Sequence, residues 1–194
     1  MPLMAVISPT QTYSEIYEQA VYECSRGTVA ESRHEVVKGL VEIEREFFFA
    51  NPNVPESLRG FLLSAACRES RYNPFAKGDW RLRRGKKVAM AIGVLQLWPW
   101  WIKEYGVTRT DYVASAKIWL DRIAYQYKKN KRYKRCQRLS DKRQWIAAWV
   151  QTTRGAPVNK ENNYRCKQVP THYKILKKWI RNIKQDREEV EDGC

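Results

Sequence analysis

Apolar side chains recur every three or four residues over most of this chain, and that spacing constrains its fold more than any other feature. An α-helix of 3.6 residues per turn gathers such residues on one face, which must then pack against another element. The pattern is strongest behind Pro55, a suitable first helical residue, where the apolar residues are Leu58, Phe61, Leu62, Ala65 and Ala66. The sequence therefore predicts a mainly helical fold.

The same spacing predicts helices along most of the remaining chain. They are expected at about 12–25, from the residues after Gly27 to about 49, and at 97–105, 110–129, 141–153 and 171–188. The stretch "NPNVP" that begins at residue 51 interrupts this pattern. We therefore predict an N-terminal helical extension, residues 1–50, and a second domain, residues 51–194.

One stretch breaks the helical pattern in a different way. Between residues 78 and 91, apolar side chains alternate with basic ones on both sides of "RRGK"; they are Trp80, Leu82, Val88 and Met90. Alternation around a short turn is typical of two paired strands. We expect one β-hairpin here and no other strands.

The chain is strongly basic, with 36 Lys and Arg against 21 Asp and Glu and a formal net charge of +15. Such a charge predicts a polyanionic partner: nucleic acid, an anionic membrane surface or an anionic cell-wall polymer. Six of the basic residues fall within 77–87. No stretch has the ~20 apolar residues that a membrane span needs, and the opening "MPLMAVISP" lacks the features of a secretory signal.

The five cysteines are odd in number, and their spacing matches no zinc-binding pattern. We expect mostly free thiols and leave open a bridge between Cys136 and Cys166. Cys67 lies in an apolar run, and a nucleophilic role would require a nearby His, of which the chain has only His34 and His172. We interpret Cys67 as a small core residue.

Glu69 ends the third predicted helix, and this position suits a general acid. Apolar neighbours and the negative end of the helix dipole both disfavour the ionised carboxylate. A retained proton is what cleavage of a glycosidic bond requires, because a sugar is a poor leaving group until its oxygen is protonated.

The stretch "AIGVLQLWPWW", residues 91–101, adds groups suited to binding a sugar. Gly93 permits close backbone approach, and Gln96 offers both a donor and an acceptor to amides and hydroxyls. Trp98, Trp100 and Trp101 offer flat apolar faces on which sugar rings stack.

Three stretches in order, "RESRYNPFAKG", "GVLQLWP" and "IAAWVQTTRG", resemble the three motifs of soluble lytic transglycosylases. Those motifs run Glu-Ser-x-Phe/Tyr-Asn-Pro, Gly-Leu-Met-Gln-x-Met-Pro and Ala-Ala-Tyr-Asn-Ala-Gly. The resemblance covers about residues 55–185 and implies a lysozyme-like fold, to which goose-type lysozymes are related. It also implies cleavage of the β-1,4 bond between N-acetylmuramic acid and N-acetylglucosamine in peptidoglycan, without a metal or organic cofactor.

The resemblance assigns roles to the matching positions. It implies that Glu69 protonates the glycosidic oxygen and then acts as a base, while the substrate's N-acetyl group serves as nucleophile and a 1,6-anhydro sugar forms. Five further residues are implied to bind substrate or to support the site. Ser70 and Asn73 match the helix end and the turn, Gly93 and Gln96 match the cleft floor, and Trp98 replaces a substrate-contacting Met.

The third motif departs from the family pattern. Trp149, which we include among the substrate-binding candidates, stands where the family has a Tyr whose hydroxyl approaches the acid. Val150 stands where the family has Asn, and Gln151 is the nearest amide that can replace it.

Several alternatives remain open at this stage. Asp79 is a turn residue or a partner for adjacent cations, but it is also a candidate second carboxylate for a hydrolytic lysozyme. A nucleic-acid binder could use Lys and Arg interleaved with Trp80, Tyr133 and Trp145. A third possibility is a non-catalytic wall-binding module that keeps only the fold.

The expected place of action is the bacterial cell wall. A wall-degrading domain without a visible secretory signal is also typical of phage lysins and of lysozymes carried in virions. In that setting the helices of residues 1–50 are candidates for contact with virion or cell-wall proteins.

Overall fold

The computed structural model describes residues 9–24, 31–130, 134–153 and 169–192. The elements are α1 (Pro9–Cys24), α2 (Glu31–Ala50), α3 (Phe61–Ser70), β1 (Lys77–Arg83), β2 (Lys86–Ile92), α4 (Pro99–Tyr105), α5 (Tyr112–Asn130), α6 (Lys134–Gln137), α7 (Asp141–Thr153) and α8 (Thr171–Asp192). The described part is thus mainly helical with one antiparallel hairpin, which confirms the predicted fold class.

The third helix starts later than Pro55. Pro55 precedes a short 3₁₀ turn, Glu56–Leu58, and α3 begins only at Phe61. Gly60, which precedes α3, has a φ of +88°, and a Cβ there would lie 2.7 Å from the Ile16 side chain. The positive φ and the close approach of α1 separate the 3₁₀ turn from the helix.

The predicted hairpin is confirmed as an antiparallel pair whose turn lies within "RRGK". Lys77 is paired with Ile92 at its base and Arg83 with Lys86 at its tip. The two turn residues, Arg84 and Gly85, have φ values of +47° and +76°. Positive φ at both central residues is what a two-residue type I′ turn requires, and it matches the right-handed twist of the strands.

The core is built around aromatic rings contributed by several helices. The ring of Phe61 in α3 lies 5.9 Å from that of Trp119 in α5 and 5.4 Å from that of Trp149 in α7. The ring centroid of Phe47 in α2 lies 6.0 Å from that of Phe61 and 6.0 Å from that of Trp145. This cluster fixes α3, and therefore Glu69, against the rest of the molecule.

The first two helices share this core. Ile16 and Leu40 are fully buried and belong to the same apolar cluster as Phe61. Lys178 of α8 also forms an ion pair with Glu23 of α1 at 2.6 Å. The division of the chain at residue 50 stays a prediction, but α1 and α2 pack directly on the helices that follow.

The prediction of mostly free thiols is wrong. Cys24 at the end of α1 and Cys67 in α3 form a disulfide, which also corrects the interpretation of Cys67 as a core thiol. Cys136 is disulfide-bonded too, whereas Cys166 and Cys194 lie outside the described residues. The sequence could not indicate the first pair because 43 positions separate two residues that folding brings to a Cα distance of 5.7 Å.

Glu44 was not anticipated as a structural residue. Its side chain is fully buried, and its carboxylate oxygens accept hydrogen bonds from the backbone N–H groups of Gly60 and Leu62, both at 2.8 Å. Gly60 has no side chain with which to cap α3, so a carboxylate from α2 satisfies these free donors instead. Burial raises the pKa of Glu44 to about 8, against the opposing effect of the two backbone donors.

No helix in the described ranges is long and apolar enough to cross a membrane.

Candidate active site

Glu69 lies on the last turn of α3, just before two residues of left-handed backbone conformation end the helix. Arg71 and Tyr72 follow with φ values of +52° and +62°, and the Arg71 N–H donates to the Cys67 carbonyl at 3.0 Å. Tyr72 is buried, and its hydroxyl donates back to the Leu63 carbonyl at 3.1 Å. The segment that ends the helix is therefore anchored in the core, which fixes Glu69 at the end of α3.

Glu69 lines a cavity of about 540 Å³. The walls come from α3, the hairpin, the loop after it, and helices α4, α5, α7 and α8. Polar groups in the lining are those of Glu69, Asp79, Gln96, Thr152, Thr153 and His172, and the aromatic ones are Trp98, Trp100, Trp101 and Trp119. The structure thus brings together the acid, the amide and the tryptophans that the sequence singled out.

The predicted site residues fall into two groups. Glu69, Gln96 and Trp98 line the cavity, as does the alternative carboxylate Asp79. The lining does not include Ser70, Asn73, Gly93 and Trp149. These four shape the surrounding backbone and side chains instead.

Gly93 and Ser70 connect the loop of the second motif to α3. Gly93 has a φ of +88°, and a Cβ at this position would lie 1.9 Å from the carbonyl oxygen of Arg109, so no larger residue fits. The Ser70 hydroxyl lies within hydrogen-bond distance of the Val94 carbonyl, at 2.9 Å, and of the Ala66 carbonyl, at 3.1 Å. The loop is therefore fixed beside the acid by steric fit and by a side-chain hydrogen bond.

Asn73 shapes the turn after the acid. Its side-chain oxygen accepts a hydrogen bond from the Phe75 N–H at 2.9 Å, an arrangement that Asn commonly makes in turns. Its own N–H donates to the Ser70 carbonyl at 3.2 Å. The side chain therefore acts on the local backbone.

Gln96 uses its amide nitrogen within the protein. Nε2 donates to the carbonyls of Ala76, at 3.1 Å, and Gly93, at 2.9 Å, and the residue itself has a φ of +48°. Both N–H groups are thus engaged with backbone oxygens. The side-chain oxygen is the part of the amide that remains to accept a hydrogen bond from a ligand.

Trp98 connects the hairpin to the cavity. Its indole N–H donates to the Asp79 carboxylate at 3.0 Å, and the guanidinium of Arg81 lies 4.8 Å from its ring centre. Asp79 has a φ of +49°, a conformation that non-glycine residues seldom adopt outside turns and functional sites. The carboxylate of Asp79 is therefore held at the cavity wall by Trp98.

His172 was missed as a site residue. It lies in the first turn of α8, and its Nε2 is 2.6 Å from Oε1 of Glu69. The His172 side chain is buried, at 7% exposed, whereas that of Glu69 is 35% exposed. His172 therefore contacts Glu69 from the interior side, and Glu69 faces the cavity. The only available signal was the rarity of histidine, since the chain has two.

Trp149 lies behind this pair. The side chain is buried, and its ring stacks on His172 with centroids 5.9 Å apart and an interplanar angle of 18°. Its Nε1 has no hydrogen-bond partner among the described residues. Trp149 therefore supports His172 by packing and makes no hydrogen bond to the acid.

Thr152 and Thr153 line the cavity in place of the amide that the third motif was expected to supply. The Thr153 hydroxyl lies 3.1 Å from the Trp149 carbonyl. The Thr152 hydroxyl is buried and has no partner within the described part of the chain, which leaves it able to bind a ligand. Gln151 is buried and is not part of the lining.

Among the described residues, no group of three or more His, Cys, Asp or Glu side chains is arranged to hold a metal ion. Comparison with protein-family models, with curated proteins and with solved structures found no match to this chain. The function is therefore inferred from the residues and their arrangement.

Proposed function

We propose that this protein cleaves the β-1,4 bond between N-acetylmuramic acid and N-acetylglucosamine in peptidoglycan by lytic transglycosylation. The observation that carries the proposal is that Glu69 lines a cavity together with Gln96 and Trp98, the carboxyl group, amide and indole of the first two motifs. Glu69 is the general acid and then the base.

The cavity suits a short stretch of glycan. Its volume of about 540 Å³ is within the usual range for ligand sites, about 300–1,000 Å³. The half-buried indole ring of Trp98 lines the cavity and is proposed to stack on a sugar ring. The Gln96 oxygen and the Thr152 hydroxyl can hydrogen-bond sugar hydroxyls or an acetamido group.

The proposed reaction needs one protein carboxyl group. In the first step Glu69 gives its proton to the bridging oxygen, the bond from that oxygen to C1 of the muramic acid breaks, and the N-acetyl oxygen bonds to C1. In the second step the Glu69 carboxylate takes the proton of the C6 hydroxyl, O6 bonds to C1, and the N-acetyl oxygen leaves. A 1,6-anhydro sugar forms and no water is consumed.

Hydrolysis is the second candidate, and one observation favours it. Asp79 lines the same cavity as Glu69, and Trp98 holds its carboxylate in place. A second carboxylate across a cleft can direct water to C1 or stabilise positive charge there. The two outcomes differ in their product, since the hydrolysed muropeptide is heavier than the anhydro form by one water.

The test is digestion of purified peptidoglycan followed by mass spectrometry of the products. We expect anhydro-muropeptides from the wild type and a loss of about 10²- to 10⁴-fold in rate for Glu69→Gln, the usual range for general acid–base catalysis. Glu42→Gln is the matched control, because Glu42 is an exposed Glu in α2 outside the cavity lining. Full activity in Glu69→Gln would remove Glu69 from the proposed role.

The proposed site of action is the bacterial cell wall, reached during phage infection or lysis. Peptidoglycan strands are the proposed partner, and the helices of residues 1–50 are proposed to contact virion or wall proteins. A nucleic-acid-binding module remains the alternative. Salt-sensitive DNA binding without any release of muropeptides would favour that alternative.

A further inference from the structure

We propose that His172 positions the catalytic acid by donating a hydrogen bond from Nε2 to Oε1 of Glu69, with the imidazole ring neutral. This inference depends on the proposed function for one point, the catalytic role of Glu69. It assigns to a histidine of α8 the work that a tyrosine of the third motif performs in the family that the sequence resembles.

The geometry of the contact carries the proposal. The two atoms lie 2.6 Å apart, a distance at which a proton must lie between nitrogen and oxygen. Glu69 Oε2 has no hydrogen-bond partner among the described residues. His172 therefore engages one carboxyl oxygen and leaves the other to a substrate in the cavity.

The environment of the second ring nitrogen indicates which group carries the shared proton. His172 Nδ1 is buried without a hydrogen-bond partner among the residues that the structure describes. A proton on Nδ1, in either the cation or the other neutral tautomer, would bury an N–H donor with no acceptor, which is unfavourable. The favoured form carries its proton on Nε2 and donates it to Glu69.

This tautomer has a direct consequence for the acid. Because Oε1 accepts from His172, the carboxyl proton of Glu69 is placed on Oε2, the oxygen left to the substrate. After the proton has been transferred, the same hydrogen bond stabilises the carboxylate that must act as a base. One fixed donor thus serves both steps of the reaction.

Trp149 fixes the plane of the imidazole. The Trp149 and His172 rings are stacked at an angle of 18°, and Tyr173 packs edge-to-face against Trp149 with ring centroids 6.3 Å apart. A flat indole packs on a flat imidazole, and both are buried. The presence of Trp149 where the family has a tyrosine therefore fits a site in which the N–H of His172 takes the place of the tyrosine hydroxyl.

Kinetics of two variants test the positioning role. His172→Phe keeps a ring that can stack on Trp149 but has no donor, and His172→Gln keeps an N–H group at a similar reach. For His172→Phe we expect kcat to fall about 10- to 100-fold with little change in KM, as for loss of one hydrogen bond to a charged group. His172→Gln should recover most of this loss. Full activity in the Phe variant, or equal losses in both variants at equal thermal stability, would overturn the proposal.

A readout that does not depend on activity separates this inference from the proposed function. Two-bond ¹H–¹⁵N correlation spectra report the tautomer of each histidine, and His172→Phe removes one of the two sets of signals. We expect Nε2 of His172 to be protonated and Nδ1 to be unprotonated. A cationic ring or the Nδ1–H tautomer would overturn the inference, whereas the expected spectrum without cleavage of peptidoglycan would leave the hydrogen bond in place and remove only the enzymatic proposal.

Discussion

Glu44 and Glu69 lie at opposite ends of α3 in opposite environments. Glu44 reaches from α2 to the N-terminus of α3, where it is fully buried and accepts two backbone hydrogen bonds. Glu69 is on the last turn, with its side chain 35% exposed in a cavity. The first carboxyl group therefore holds the helix in place, and the second is available for chemistry.

The buried Glu44 predicts that stability falls as pH rises. Its pKa is raised from 4.5 in the unfolded chain to about 8 in the folded protein, so its protonated form is favoured by folding. The contribution is complete below pH 4.5 and is lost as the pH rises to about 8, at up to about 1.4 kcal/mol per pH unit. Urea unfolding of the wild type and of Glu44→Gln between pH 5 and 9 measures the difference.

We expect Glu44→Gln to show a flatter pH dependence and a lower stability at pH 5. At pH 5 Glu44 is protonated, and both of its oxygens can still accept a hydrogen bond, whereas the amide of Gln has one acceptor oxygen. Either the Gly60 or the Leu62 N–H then loses its partner, at a cost of about 1–3 kcal/mol. Glu42→Gln on the same helix is exposed and should retain the wild-type slope. Equal slopes in all three proteins would contradict this account of Glu44.

Gly93 is predicted to tolerate no side chain. In Gly93→Ala the new Cβ would meet the Arg109 carbonyl at 1.9 Å, so the backbone beside the acid must shift. Gly106 is the matched control, since it has a φ of +69° and no heavy atom within 4 Å of an added Cβ. Gly106→Ala should cost only the left-handed strain, about 1–2 kcal/mol, and Gly93→Ala clearly more. Thermal unfolding and the rate of peptidoglycan digestion are the measurements; similar effects of the two changes would count against the steric role of Gly93.

The disulfide between Cys24 and Cys67 is predicted to stabilise the fold by joining α1 to the helix of the acid. The double variant Cys24→Ser, Cys67→Ala removes it and avoids burying a hydroxyl at position 67. We expect a loss of about 2–4 kcal/mol in the free energy of unfolding, the usual effect of removing one disulfide. Chemical denaturation under oxidising conditions measures it, and an unchanged midpoint would show that the bond adds nothing.

The basic hairpin is predicted to bind anionic groups of the cell wall. Its six cations form no ion pair with a carboxylate of the described residues; they are Lys77, Arg81, Arg83, Arg84, Lys86 and Lys87. The double variant Arg83→Glu, Arg84→Glu should reduce the fraction of protein that sediments with intact cell walls, and that fraction should depend less on salt concentration. Arg181→Glu with Lys184→Glu in α8 changes the net charge equally at exposed positions and should have a smaller effect. Equal losses in both pairs would indicate attraction by net charge alone.

Local sequence patterns predicted most of the secondary structure of this fold. Apolar spacing predicted the main helices, and alternation around "RRGK" predicted the hairpin and its turn, because period and turn chemistry are properties of neighbouring residues. The start of α3 was placed too early, since the break before Phe61 depends on a positive φ at Gly60 and on the approach of Ile16 from another helix.

The candidate site likewise contains residues that local sequence patterns indicated and residues that they did not. The local sequence indicated a Glu at a helix end and, after it, an amide and tryptophans, and in the structure Glu69, Gln96 and Trp98 line one cavity. Three contacts could be seen only in the folded molecule: His172, 103 positions away, contacts Glu69; Glu44 caps α3; and Cys24 is bonded to Cys67. Periodicity shows which face of a helix is buried, whereas the partners of that face depend on how all the helices pack together.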